Sequence, residues 1–447
     1  MTDTAPVTQR AIAKFWAPLA MTWLIMAVEG PFLAAVIARL PAAKYNLAAY
    51  GVAAAIAMLV EAPVIMMLSA SVALVDSWRT FRRLRIFAHA FNASVTTVML
   101  VLLAPPVFNF LIRRLMGLDE QVARLVYVSL WLLVPWPAAI GYRRFYQGLL
   151  IRAGLTRRVA YGTVIRMAGM ASTALLLAAT TDWSGAWIGA ASLSAGVCAE
   201  ALASRMMAAG PRRALQEHPQ HGDTLPPVPS YTQIGTFYAP LAMTSVLTMA
   251  ASPMVTFFMG GAKHPLESLA VLPVVNSLVF VFRTPGVSFQ EAAIALLGRG
   301  RQNLRPVLRF AFMLAATATT AFALLVWTPL AAVWFERIAG LTPDLIGFAR
   351  TAARILMLMP ALGAAQALER ALMINVRNTR PVTGATVTEL VGIVLVLWIM
   401  VRGVDLAGAT AAALAIFTGR LAGTLFLLPP CLCAGSRRRA VPDGVIV

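Results

Sequence analysis

The chain has 447 residues, 60% of them hydrophobic and 12% charged, with a mean hydropathy of +0.77 and a net charge of +19. This composition excludes a soluble enzyme, and the basic excess, lying in short segments between apolar runs, marks membrane orientation rather than a nucleic-acid partner. A crossing takes about 20 apolar residues, so about a dozen crossings consume most of the chain.

Apolar runs between charged or Pro/Gly breaks predict helices near 15–38, 46–75, 86–112, 121–147, 157–180, 184–208, 237–259, 266–297, 306–336, 343–374, 381–402 and 405–429. The polar segment before the first run lacks a small-residue cleavage site, so that run is expected to stay as a membrane helix. Pro63, Pro105, Pro106, Pro285 and Pro360 fall inside runs and predict kinks or helix ends. The connection from Ala209 to Thr236, with Pro211, Pro219, Pro226, Pro227 and Pro229, is read as a linker. The expected organisation is a six-helix lobe over 1–208, a cytoplasmic linker over 209–236, a second six-helix lobe over 237–429 and a cytoplasmic tail over 430–447.

Orientation follows from Arg and Lys. Segments assigned to the cytoplasm hold 24 of them, from Arg10 and Lys14 through Arg79–Arg85, Arg143–Arg158, Arg205–Arg213, Arg299–Arg309 and Arg370–Arg380 to Arg437–Arg439, against 8 on the opposite side. Both termini are therefore expected in the cytoplasm. Cys198, Cys431 and Cys433 form neither a disulfide framework nor a paired CxxC site. His218 and His221 lie in the linker, and the glycine-rich run at 298–302 lacks the GKS/T ending of a phosphate loop, so neither a metal nor a nucleotide cofactor is expected.

The two halves repeat. Phe15-Trp-Ala-Pro-Leu-Ala-Met-Thr22 returns as Phe237-Tyr-Ala-Pro-Leu-Ala-Met-Thr244, an offset of 222 residues with seven of eight identities. The same offset places Pro31 on Pro253, Leu47 on Leu269, Pro63 on Pro285, Arg79 on Arg301 and Arg83 on Arg305; a drift of one residue then places Gly117-Leu118 on Gly340-Leu341, Pro137 on Pro360 and Thr156-Arg157 on Thr379-Arg380. Six crossings precede the return, so the repeats share one orientation and are related by an axis along the membrane normal. The fold class expected is an all-α polytopic membrane protein of twelve transmembrane helices in two such lobes, with a substrate path between them.

A charge inside a crossing costs roughly 3 kcal/mol, so each should face a cavity or a partner. Glu29, Glu61, Arg166 and Glu200 in the first half and Arg283, Arg350, Arg354, Glu389 and Arg420 in the second lie away from helix ends. Glu61 falls on Arg283 and Arg166 on Glu389, with the sign inverted, and an offset of 220 would place Glu200 on Arg420. Two readings are open: salt bridges that lock helices, or Glu61 and Arg283 facing each other across the cleft to bind substrate, with Glu200 and Arg420 as an interlobe pair. Arg350 and Arg354, four residues apart, share a helix face and either grip an anion or snorkel outward. Glu29, beside Gly30-Pro31, suits a coupling proton or Na⁺, or else a hydrogen-bonded structural acid.

Ala17-Pro18-Leu19, Val28-Glu29 and Leu47-Ala-Ala-Tyr-Gly51 resemble the first two helices of the multidrug and toxic compound extrusion transporters, which share a superfamily with lipid-linked oligosaccharide flippases. The resemblance spans nearly the whole chain and implies two six-helix lobes with a cytoplasmic linker; its pattern has an acid where Glu29 stands. The membrane arginines depart from it. Ala49-Tyr-Gly51, Ser77-Trp-Arg-Thr-Phe-Arg82 and Gln147-Gly-Leu-Leu150 are similar to the progressive-ankylosis branch, implicated in exporting organic and phosphate-bearing anions.

The expected function is secondary transport by alternating access in the inner membrane, by a monomer, with a small anion exported. The rivals are a proton- or Na⁺-coupled cation antiporter working through Glu29 and a lipid-linked flippase. No nucleophile, acid/base or metal constellation points to a membrane enzyme.

Overall fold

The computed structural model describes residues 7–217, 228–297, 303–376, 378, 380–404 and 406–436. The run at 298–302, His218, His221, Arg377, Thr379 and Arg437–Arg439 lie outside the described residues, so the Arg79–Arg301 match lies outside them too.

Among the described residues twelve helices are long and apolar enough to cross a membrane: α1 Gln9–Ala38, α2 Ala43–Leu74, α3 Trp78–Leu103, α4 Glu120–Arg152, α5 Thr156–Thr180, α6 Gly185–Glu217, α7 Tyr231–Gly260, α8 Pro265–Leu297, α9 Leu304–Trp327, α10 Pro343–Asn375, α11 Arg380–Gly403 and α12 Gly408–Cys433. Each exceeds a straight crossing of about 20 residues, and prolines break several of them. Helix α1 is interrupted at Val28, where Pro31 removes the N–H that would reach the Ala27 carbonyl, and α7 at Ala250, where Pro253 does the same to Met249. Pro63 sits in a 3₁₀ turn of α2 over Ala62–Met66, and Pro285 lies inside α8. Both proline pairs thus occupy equivalent places in the two lobes, as the 222-residue offset predicts.

Two runs stop short of their predicted ends. Helix α3 begins at Trp78, because Ser77 and Thr80 form a reciprocal cap there, and stops at Leu103, before Pro105 and Pro106. Helix α9 stops at Trp327, before Pro329. Gly117 and Gly340, at φ 64° and 73°, close the equivalent segments that follow α3 and α9 in a left-handed conformation that glycine adopts freely. Helical structure enters the 209–236 segment from both sides, and the last helix continues to Ser436.

Inside each lobe the last two helices meet through a glycine. A Cβ on Gly196 would stand 2.8 Å from the Arg166 carbonyl oxygen, and one on Gly419 would stand 2.8 Å from that of Glu389, so α5–α6 and α11–α12 approach closely at the same point of the repeat. The start of each closing helix is tied back to the second helix of its lobe: Ala186 N donates to Asn46 Oδ1 and Ala409 N to Ser268 Oγ.

The first part of each lobe's opening helix meets the opposite lobe. Helix α1 packs on α8 and α9, and α7 on the turn of α2 and on α3. Ile12 is buried with Phe289, Ala292 and Phe310, and its repeat mate Ile234 with Phe81, Leu84 and Phe145. At the opposite end of the molecule Lys44 Nζ lies 2.6 Å from Glu267 Oε1, and Arg39 Nη2 donates to the carbonyls of Arg337 and Ile338 at 2.6 and 2.8 Å. The lobes therefore touch at both ends.

Candidate functional site

Five of the nine membrane charges gather into two clusters, one inside each lobe. In the first, Arg166 Nη2 lies 2.7 Å from Glu29 Oε2 and its Nε 3.6 Å from Glu200 Oε2; Glu200, fully buried, is also paired with Arg143 and accepts from Gln147 Nε2 at 3.0 Å. Helices α1, α4, α5 and α6 converge here, the last two drawn together at Gly196. In the second, Arg420 Nη2 lies 2.9 Å from Glu389 Oε1 and a further Arg420 nitrogen donates to Gln366, whose Nε2 donates to Glu389 Oε2 at 3.3 Å. The matching elements, α10, α11 and α12, supply this cluster.

The two clusters correspond at two positions. Arg143 and Gln366 share the 223-residue offset, as do Arg166 and Glu389, and each pair stands on the same helix of its lobe. The sign inversion read from the sequence is thus an inversion within a shared scaffold.

Glu61 and Arg283 do not pair across a cleft, contrary to expectation. Glu61 is buried at the end of the α-helical part of α2, and the charges acting on it are Arg143, Arg144, Arg166 and Glu29, all in its own lobe. Those acting on Arg283 are Arg420, Glu389 and Arg370, again all in its own lobe. Glu61 Oε2 and Arg283 Nε are buried without a hydrogen-bond partner, and Arg283 joins no ion pair among the described residues. Glu200 and Arg420 are not an interlobe pair either. The caps at Ala186 and Ala409 and the glycines at 196 and 419 set the offset of the closing helices to 223, so Glu200 falls on Gly423 and the two charges lie about one turn apart along equivalent helices.

Arg350 and Arg354 share a face, as their spacing predicts, but it meets neither cluster. Arg350 Nη2 donates to the Thr328 carbonyl at 3.4 Å and Arg354 Nε to the Val326 carbonyl at 3.3 Å, with the Arg354 guanidinium 4.4 Å from the Trp327 ring centroid. They cap the end of α9, where unpaired carbonyls and the helix dipole favour cations. Arg354→Gln is accordingly expected to cost about 0.5–1 kcal/mol in thermal-shift assays. Transport half-saturation should stay at the parent value; an altered one would return Arg354 to the substrate path.

Sequence reading missed Arg143, Gln147, Gln366 and Arg370. Arg143, Arg144 and Arg370 were counted with the cytoplasmic basic residues, yet Arg143 is buried inside α4 and Arg370 half-buried inside α10. Aligning the repeat through all residues, not only charged ones, would have set Gln366 on Arg143 and Arg370 on Gln147. Among the described residues no group of three His, Cys, Asp or Glu could hold a metal ion. On the seam between the lobes lies an apolar recess of about 600 Å³ walled by Pro63, Phe87, Phe91, Tyr238, Ala242 and Met243.

Among the described residues, twelve helices long and apolar enough to span a membrane, in two pseudo-equivalent lobes, define an all-α polytopic membrane protein. No family model and no curated protein matches the sequence. Among solved structures, the chain is similar to an inward-facing multidrug resistance MATE family transporter of the MOP superfamily, at 15% identity over 95% of this chain and 98% of that one, with a TM-score of 0.67. It is also similar to the lipid II flippase MurJ in an inward closed conformation, at 13% identity over 93% and 87%, TM-score 0.70. A third likeness is to a MOP superfamily transporter from Pyrococcus furiosus described as having a binding pocket of reverse polarity, at 15% identity over 96% and 97%, TM-score 0.59. The superfamily resemblance read from the sequence is thus shown as a shared fold; none of these three is described as a progressive-ankylosis protein.

Proposed function

We propose that the chain is a secondary active transporter of the inner membrane, with both termini cytoplasmic, that exports an organic or phosphate-bearing anion by alternating access of its two lobes. The observation that carries this reading is the charge balance around Arg283: Arg420 and Arg370 stand near it with Glu389 opposing them, and among the described residues Arg283 has no carboxylate in ion-pair contact. A half-buried guanidinium without a counter-ion supplies a field that draws an anion, and it is retained at a cost unless it has a use. The protein acts as a monomer and needs the bilayer and its substrate as its only partners. Purified protein in liposomes, offered labelled citrate, pyrophosphate, nucleotides and a cationic dye with and without a proton or Na⁺ gradient, tests this. Movement of one anion class supports the reading, and movement of the dye alone overturns it.

Glu29 is the candidate coupling acid. Its carboxylate is held by Arg166, and a proton arriving on Glu29 would release that guanidinium toward Glu200 alone. Glu29→Gln is expected to flatten the pH or Na⁺ dependence of flux while protein abundance stays within about twofold of the parent, since Arg166 keeps Glu200. An unchanged ion response would make Glu29 a structural acid.

A second reading, a flippase for an anionic lipid-linked substrate, is favoured by the apolar seam recess, which has room for a hydrocarbon chain. Flipping of a fluorescent polyprenyl phosphate in the same liposomes, with the soluble anions left unmoved, would select it. A cation antiporter fits the fold as well, and the dye reports on it.

A further inference from the structure

The eight-residue repeat at the start of α1 and α7 differs at a single position, Trp16 against Tyr238. Those two residues make the same contact. Trp16 Nε1 donates to the Pro285 carbonyl at 3.2 Å, and Tyr238 Oη to the Pro63 carbonyl at 2.5 Å. Donors and acceptors are both repeat mates, 222 residues apart, and each bond runs from one lobe to the other. The ring of each donor is seated the same way: Trp16 meets Phe310 of α9 edge-on at 5.6 Å between centroids, and Tyr238 meets Phe87 and Phe91 of α3 at 5.7 and 5.0 Å. Trp16 Nε1 also reaches Ser288 Oγ at 2.9 Å.

The acceptors lie where a proline disturbs the helix. Pro63 stands in the 3₁₀ turn of α2 and Pro285 lies inside α8, and in each lobe the accepting carbonyl is that of the repeat proline itself. The one residue that changes in the repeat thus exchanges one aromatic donor for another and keeps the bond. A contact kept for packing alone would be met by phenylalanine, and Phe15 and Phe237 stand immediately before.

We infer that Trp16–Pro285 and Tyr238–Pro63 are paired latches that hold the two lobes shut at the end of the molecule where α1 and α7 begin. Opening that end requires both bonds to break, and each latch is drawn from the lobe opposite to its catch, so neither lobe can rock away while either bond holds. At the far end the closure is ionic, through Lys44–Glu267 and Arg39, so the two ends are held by different chemistry. The inference rests on the alternating-access reading for its use in transport, but not for its geometry.

The test reads opening directly. With Cys198, Cys431 and Cys433 replaced by Ser, a single cysteine is placed at Ile12 or at Ile234, the equivalent buried seam positions, and its labelling by a water-soluble maleimide is timed from the α1/α7 side. Loss of one neutral hydrogen bond shifts the closed-to-open ratio about fivefold, so Tyr238→Phe and Trp16→Phe should each speed labelling about fivefold and the double variant about 25-fold. Trp16→Tyr keeps a donor, as the other half of the repeat does, and should label at close to the parent rate. Phe variants that label as slowly as the parent, or Trp16→Tyr as fast as Trp16→Phe, would overturn the latch. Substrate flux, measured on the same proteins, separates the two ideas: faster labelling in a protein whose parent moves no substrate leaves the latch standing and removes the transport reading, whereas unchanged labelling in a protein that transports removes the latch alone.

Discussion

Glu200→Ala is expected to abolish recovery of folded protein from detergent, the largest stability effect of any single change in the chain. The Glu200 carboxylate is fully buried and holds three groups: Arg143, Arg166 and Gln147. Arg166 would keep Glu29 after the substitution, but Arg143 has no other ion pair among the described residues, leaving its guanidinium uncompensated inside the lobe. Removing one partner of a buried ion pair costs about 3–5 kcal/mol, a large part of the stability of an ordinary fold. Replacing both partners is much milder, so Arg143→Met combined with Glu200→Leu should recover most of the loss. Size-exclusion profiles and melting temperatures of the two single variants and the double variant check this. A Glu200→Ala protein that elutes and melts like the parent would show that water or lipid headgroups reach Arg143 and that the cluster does not lock the lobe.

The repeat made much of this fold readable. An ungapped 222-residue offset carried the two proline breaks, the aromatic donors and their acceptors into equivalent places, because backbone interruptions and helix order are properties of the sequence itself. Partner choice was not readable. Equal depth of Glu61 and Arg283 says nothing of rotation about the helix axis, and the charges acting on each belong to its own lobe. Arg143 was concealed by its neighbours: Arg144 and Arg152 follow it on a helix that runs well past its apolar segment, so a charge inside α4 looks like one beyond its end. Gln366 escaped because it is neutral, although it stands in for Arg143 beside Arg420. The 220-residue match of Glu200 to Arg420 followed sign alone, whereas the helix caps fix that offset at 223. Spacing placed Arg350 and Arg354 on one face correctly, yet only the end of α9 shows which way the face looks.

Arg283→Gln is expected to be the most damaging change for function while sparing the protein itself. Its position differs in kind from that of Arg420, whose loss would strand Glu389, because Arg283 has no carboxylate in contact to strand. Neutralising it removes a charge whose burial in the membrane costs roughly 3 kcal/mol, so insertion and yield should match or exceed the parent. Gly363 leaves space beside it: a Cβ there would come no closer than 3.8 Å to the Arg283 side chain, so glutamine fits without a clash. If the guanidinium binds the transported anion, a charge-assisted bond of about 1.5–3 kcal/mol is lost, which raises the half-saturation concentration about 10- to 100-fold. A cationic substrate would respond the other way, since removing a repelling charge leaves its uptake unchanged or improves it. Concentration-dependent flux of pyrophosphate, citrate and a cationic dye through Arg283→Gln, set beside Arg420→Gln as the variant expected to lose yield, separates these outcomes. An Arg283→Gln protein with normal yield and parental half-saturation for every anion would remove Arg283 from the substrate path, and with it the argument from the charge balance around it.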